Sequence, residues 1–125
     1  MSNQQFNDGI EKRRTVMGDD FVDRALAQAN DLTMPMQALV TRVAWDEIWN
    51  RDVLSDRDRS LINLGMIAAL NRPHEFKGHV RGALNNGLGK EEIRDVCLQV
   101  AVSCGFPAGL DSLRNAMEVI NEDQV

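Results

Sequence analysis

The sequence predicts an all-α protein, a bundle of six to seven helices, and three observations carry that prediction. Glycine and proline fall at wide spacing, the segments between them repeat apolar residues at the 3, 4, 7 interval of a helix face, and no stretch reads as a strand. The turns between segments are short, so neighbouring helices pack directly on one another.

Residues 1–17 read as an N-terminal extension, partly helical, and residues 18–125 as one helical domain. "DDFVDRALAQA" (19–29) puts Phe21, Val22, Ala25, Leu26 and Ala29 on one face. "MPMQALVTRVAWDEIWN" follows a Thr33 cap, tolerates Pro35 in its first turn and carries the stripe Met36, Leu39, Val40, Val43, Ala44. "SDRDRSLINLGMIAALN" opens on Ser55 with Asp58 three residues later, an approximate capping box. Its centre is apolar nearly all round, which predicts burial on most sides. Pro73 starts the next helix and Gly87 stops it. "GKEEIRDVCLQVAVSCG" has acids in its first turn, as the helix dipole favours, and Pro107 opens the last helix.

At 125 residues with 43% apolar content, the chain is long enough for one hydrophobic core. A net charge of −5, with no basic run longer than "EKRR", argues against nucleic acid as a partner. No segment approaches the roughly 18 apolar residues of a membrane span, and the start has no apolar run for a signal peptide. The expected location is cytoplasmic. Cys97 and Cys104 stand two helical turns apart, roughly 10 Å, too far for a disulfide, so both read as buried, reduced thiols.

The glycines of "GALNNGLGK" do not make a phosphate loop, because no strand precedes them and Leu88 follows Gly87. A metal site is not expected either. His74 and His79 are five apart, about 140° round a helix, and neither H-E-x-x-H nor C-x-x-C occurs.

Two places remain for chemistry. His79 sits on the flank of the apolar face Phe76, Val80, Ala83 and Leu84, one turn after Glu75. It reads as a proton carrier, or as a border histidine satisfied by Glu75 or a backbone carbonyl. In "RVAWDEIW", Trp45 and Trp49 share a face, while Glu47 continues the stripe of Leu39, Val40 and Val43. A carboxylate at the edge of a core has a raised pKa or a partner, and Arg51 one turn on is a candidate for that partner. The tryptophan pair reads as packing before ligand stacking. An all-round apolar helix together with exposed tryptophans predicts a subunit interface.

"LVTRVAWDEIW", "DRDRSLINLGMIAAL" and "EFKGHVRGALNNGLGKEEIRDVCLQVAVSCGFPAG", in that order and spacing, resemble the carboxymuconolactone decarboxylase family. The resemblance runs from about Gly18 to Asn121. It implies the alkylhydroperoxidase D-like helical fold, a homotrimer or homohexamer, and a cofactor-free carboxy-lyase. That enzyme turns 4-carboxymuconolactone, a small anionic lactone, into the β-ketoadipate enol-lactone of protocatechuate catabolism. On this reading His79 and Glu47 are the catalytic residues, and Arg42, Arg59 and Arg81 are candidates for gripping substrate carboxylate.

The peroxidase branch of the same superfamily places a C-x-x-C pair where this chain has Arg72 and Glu75, and a glutamate where it has Ser60. Thiolate chemistry needs the thiols, so that reading is disfavoured. A relative acting on another small lactone or peroxide, or a ligand-binding oligomer without catalysis, are the alternatives. Members of the family often read like "YAGVPAANHA" where this chain has "SCGFPAGLDS". Ser103, Leu110 and Asp111 therefore depart from the pattern, and the chain has no tyrosine at all.

Overall fold

The computed structural model describes residues 3–123, and among them all regular structure is helical. The helices are α1 (Asn3–Met17), α2 (Asp19–Gln28), α3 (Met34–Val40), α4 (Asp56–Leu70), α5 (Pro73–Asn85), α6 (Lys90–Cys104) and α7 (Phe106–Asp123). A π-helical stretch, Thr41–Ile48, continues α3. No described helix is long and apolar enough to cross a membrane.

The chain divides into two compact units, Met1–Ser55 and Asp56–Val125. In place of the single core expected from chain length, buried residues form two clusters, one in each unit. Helical periodicity shows which face of a helix is apolar but not which faces meet, so it could not show this division.

In the first unit α1 packs on the π-helical stretch. Gly9 makes this possible, because a Cβ there would stand 2.1 Å from the Thr41 carbonyl oxygen. Val16, Met17, Val22, Trp45 and Trp49 fill the core beside them. The tryptophans are therefore buried, contrary to the exposure expected of them, and their rings stack at 5.0 Å with 29° between planes. Arg13, one turn after Gly9, is also buried and donates to Gln37 Oε1 at 2.9 Å. Burial pushes its guanidinium below its usual pKa. Thr33 does not cap α3 with its side chain. Its hydroxyl accepts from the Asn30 N–H at 2.9 Å, and Asn30 Oδ1 accepts from Leu32 and Thr33, an Asx turn that leads into the helix.

In the second unit α4, α5, α6 and α7 enclose Leu64, Phe76, Val80, Ala83, Ile93, Cys97, Val100 and Val119. α4 is less buried than its composition predicts. Ser60, Leu64 and Ala68 face the core, but Ile62, Met66 and Leu70 are exposed along another side. Pro73 begins α5, and Gly87 ends it at φ +96°. There the Leu88 N–H reaches the Ala83 carbonyl and the Gly87 N–H reaches that of Leu84, so two carbonyls of the last turn are satisfied. Glu92 Oε1 accepts from the Gly89 N–H at 3.0 Å and closes the start of α6. α6 and α7 approach closely because residue 109 is glycine; a Cβ there would meet Ala101 Cβ at 2.4 Å.

Candidate active site

The candidate site in the second unit is built on the seam between α4 and α5, two antiparallel neighbours whose core faces supply Leu64, Ala68, Phe76, Val80 and Ala83. His79 directly precedes Val80 and lies half-buried at the border of that core. Its Nδ1 stands 3.0 Å from Nδ2 of Asn63, on α4. With the ring neutral, the amide donates, Nδ1 accepts and the hydrogen of the ring lies on Nε2.

A side-chain amide from the facing helix thus contacts this imidazole, a partner that local spacing along α5 had not offered. Glu75 itself is exposed. Further along the seam Asn86 Nδ2 donates to Ser60 Oγ at 2.9 Å. Ser60, which stands where a peroxidase relay would need a glutamate, is therefore a buried structural acceptor here.

The arginines divide by location. Arg59 is half-buried on α4, one turn before Asn63, so the two side chains emerge on the same side of that helix. Arg81 is half-buried on α5 and pairs with Glu122 of α7 at 2.6 Å. Lys77, one turn earlier, pairs with Glu118 at 2.6 Å. Arg57 is bonded to Glu92.

Arg42 and Glu47 belong to the first unit. The stripe that Glu47 continues is apolar, as expected, but Leu39 and Val43 are 46% and 43% exposed and Glu47 is exposed with them. The reason is the π-helical register. Its i→i+5 bonding, seen where the Trp49 N–H meets the Ala44 carbonyl at 2.9 Å, rotates the residues relative to an α-helix. Thr41, Trp45 and Trp49 turn to the core, while Arg42 and Glu47, five apart, come round to one side.

A shallow depression of about 10 Å³, room for about one water, lies at the end of α4 and the beginning of α5 and α7, lined by Arg72, Phe76, Asp111 and Ser112 among others. Asp111 thus lines a concavity, while its carboxylate accepts from Arg114 at 2.8 Å. Ser103 and Leu110, the other two departures from the family pattern, are exposed.

Cys97 is buried and Cys104 exposed, both unpaired, which corrects the expectation of two buried thiols. Burial pushes the Cys97 thiol up, opposed by its hydrogen bond with Ser112. Among the described residues no group of three or more His, Cys, Asp or Glu side chains could hold a metal.

Sequence comparison bears directly on this arrangement. A family profile described as "Carboxymuconolactone decarboxylase family" matches residues 35–118, which takes in the π-helical stretch and the whole α4–α5 seam. The chain is 38% identical over 117 residues to nitrosuccinic acid decarboxylase npaB of Metarhizium robertsii, covering 94% of this chain and 82% of that protein. It is 34% identical over 119 residues to 4-carboxymuconolactone decarboxylase of Acinetobacter baylyi, covering 95% of this chain and 89% of that one. Both names denote carboxy-lyases.

Proposed function

The chain belongs to the carboxymuconolactone decarboxylase family, and from that premise we propose that it releases carbon dioxide from 4-carboxymuconolactone to give the β-ketoadipate enol-lactone. Carboxy-lyase chemistry is common to both curated relatives. The observation that carries the proposal to a site is the half-buried His79, oriented by Asn63 within the matched region.

The substrate needs no added electron sink. Loss of carbon dioxide from the ring carbon next to the double bond sends its electron pair through that bond to the lactone carbonyl. The protein then has three tasks. It must hold the carboxylate that stays, strip water from the one that leaves, and return a proton to the carbon α to the carbonyl. We assign the proton to His79. Glu47 is the second candidate for the acid. Arg42, Arg59 and Arg81 are the candidates for the remaining carboxylate, because a guanidinium fork matches it bidentately. Arg59 leads among them, since it shares a side of α4 with Asn63.

The proposed enzyme works in the cytoplasm as a homotrimer or homohexamer. Support for assembly comes from exposed apolar side chains, Leu39, Val43 and Ile48 on one unit and Ile62, Met66 and Leu70 on the other. Light scattering at micromolar concentration tests it: a monomer contradicts this part of the reading.

The 38% match to a nitrosuccinic acid decarboxylase supports a second reading. Nitrosuccinate offers the same logic, a carboxylate leaving beside an electron sink while a second carboxylate remains as a handle. Ser103, Leu110 and Asp111, where this chain leaves the pattern of the lactone enzymes, favour keeping both substrates in the assay. Purified protein is given each compound separately and carbon dioxide is measured. Release from 4-carboxymuconolactone alone supports the first reading, release from nitrosuccinate alone the second, and release from neither rejects both.

A further inference from the structure

Asn63 belongs to no catalytic motif and was not a candidate on sequence grounds, yet its amide meets the imidazole on which the proposed chemistry turns. Its position is built: α4 holds it one residue before the fully buried Leu64, and His79 lies one residue before the fully buried Val80. Packing of these two core residues fixes the backbones on either side of the 3.0 Å contact.

We propose that Asn63 is the positioning residue of His79, holding the ring by Nδ1 through each protonation state so that Nε2 carries the transferred proton. The inference rests on the proton-carrier reading of His79. An amide suits this task because it presents a donor and an acceptor at one place. In the neutral ring, Nδ1 accepts from the Asn63 amide N–H. When the ring is protonated, the amide turns by half a rotation and its Oδ1 accepts from Nδ1–H.

Transfer then balances simply. The imidazolium releases its Nε2 proton, the electron pair of the dienolate forms the new C–H bond, and the ring is left as the Nδ1–H tautomer against Oδ1, which returns to the resting Nε2–H tautomer by proton exchange with solvent. Solvent supplies the next proton. A carboxylate at position 63 serves only the Nδ1–H states, and a hydrocarbon serves none. Charged groups on the helices packed against one another here include Glu75 one turn before His79 on α5, Arg59 on α4, and Glu118 and Glu122 on α7, the last two paired with Lys77 and Arg81.

The test uses ¹⁵N-labelled full-length protein with His74→Gln, which leaves His79 as the sole imidazole. Long-range ¹H–¹⁵N spectra are recorded across pH for this protein and for Asn63→Asp and Asn63→Leu in the same background. The expected wild-type neutral ring carries hydrogen on Nε2. Asn63→Asp moves it to Nδ1 and raises the titration midpoint by about one unit or more. Asn63→Leu gives mixed tautomers and lowers kcat by about tenfold or more at nearly constant KM, since a misplaced proton donor costs rate before binding.

Spectra unchanged in both variants overturn the inference. So does unchanged turnover in Asn63→Leu where His79→Gln is inactive, a result that leaves the role of His79 standing. Full turnover in His79→Gln rejects the proton-carrier reading and this inference with it. The near-isosteric Asn63→Asp keeps the test decisive if the leucine variant folds poorly.

Discussion

Arg81 on α5 closes onto Glu122 on α7 at 2.6 Å, and this pair ranks the arginines of the proposed site. The ranking follows from position: Arg59 shares a side of α4 with Asn63, the partner of the proton carrier, while the Arg81 guanidinium is drawn to α7 by Glu122. Arg81→Met is expected to change KM by less than about threefold, and Arg59→Met to raise it by about tenfold or more, a loss in the range of one charge-assisted pair. Because Arg81 and Glu122 are substantially exposed, the pair itself is worth less than about 1 kcal/mol of stability. Michaelis curves and thermal unfolding of the two variants check both statements; a larger KM effect for Arg81→Met reverses the ranking.

Gly9 and Thr41 touch so closely that any side chain at position 9 must push α1 off the π-helical stretch. Gly9→Ala is expected to destabilise the first unit by about 1–3 kcal/mol. Both tryptophans lie in that unit, so their fluorescence reports its core alone. In urea, the fluorescence midpoint of the variant should fall further than the midpoint by far-UV circular dichroism. Equal shifts by both probes would show that the units unfold together.

Gln37→Leu removes the carbonyl that receives Arg13 in the same buried place. The expected cost is about 1–3 kcal/mol, the penalty for stranding a buried donor, with little effect on carbon dioxide release. Urea unfolding followed by tryptophan fluorescence measures it.

The two thiols should behave differently. Iodoacetamide at pH 7.5 is expected to label Cys104 within minutes and Cys97 only on unfolding, since burial holds the Cys97 thiol in its neutral form. The sign of the pH effect follows from a folded-state pKa raised above the unfolded one. The contribution of this group is fully present below the unfolded thiol pKa and is lost as pH rises through the folded value, so stability declines on the alkaline side. Turnover should survive Cys104 labelling. Loss of turnover on that labelling would revive a thiol-dependent reaction.

Much of the fold was legible because its signals are local. Pro73, Gly87 and the acids of "GKEEI" mark helix ends through backbone geometry that depends on neighbouring residues alone. The flanking position of His79 followed in the same way, from counting around an α-helix. What was not legible depended on register or on distant partners. A 3.6-residue period cannot anticipate the π-helical stretch, so the stripe through Glu47 was assigned to a core edge when it lies at the surface. Asn63 was missed because its partner is sixteen residues away on another helix, and an asparagine in an apolar run carries no mark of the face it will meet. One signal was present all the same: in "LINLGM" it is the sole polar side chain, and a polar group there needs a partner.

The most direct measurement compares wild-type protein with His79→Gln, purified in parallel, for carbon dioxide release from 4-carboxymuconolactone across pH 5–9. Loss of the proton carrier is expected to lower turnover by about 10² to 10⁴ and to remove the limb of the wild-type profile near pH 6–7. Turnover of the variant within tenfold of wild type, with the same pH profile, would contradict the account.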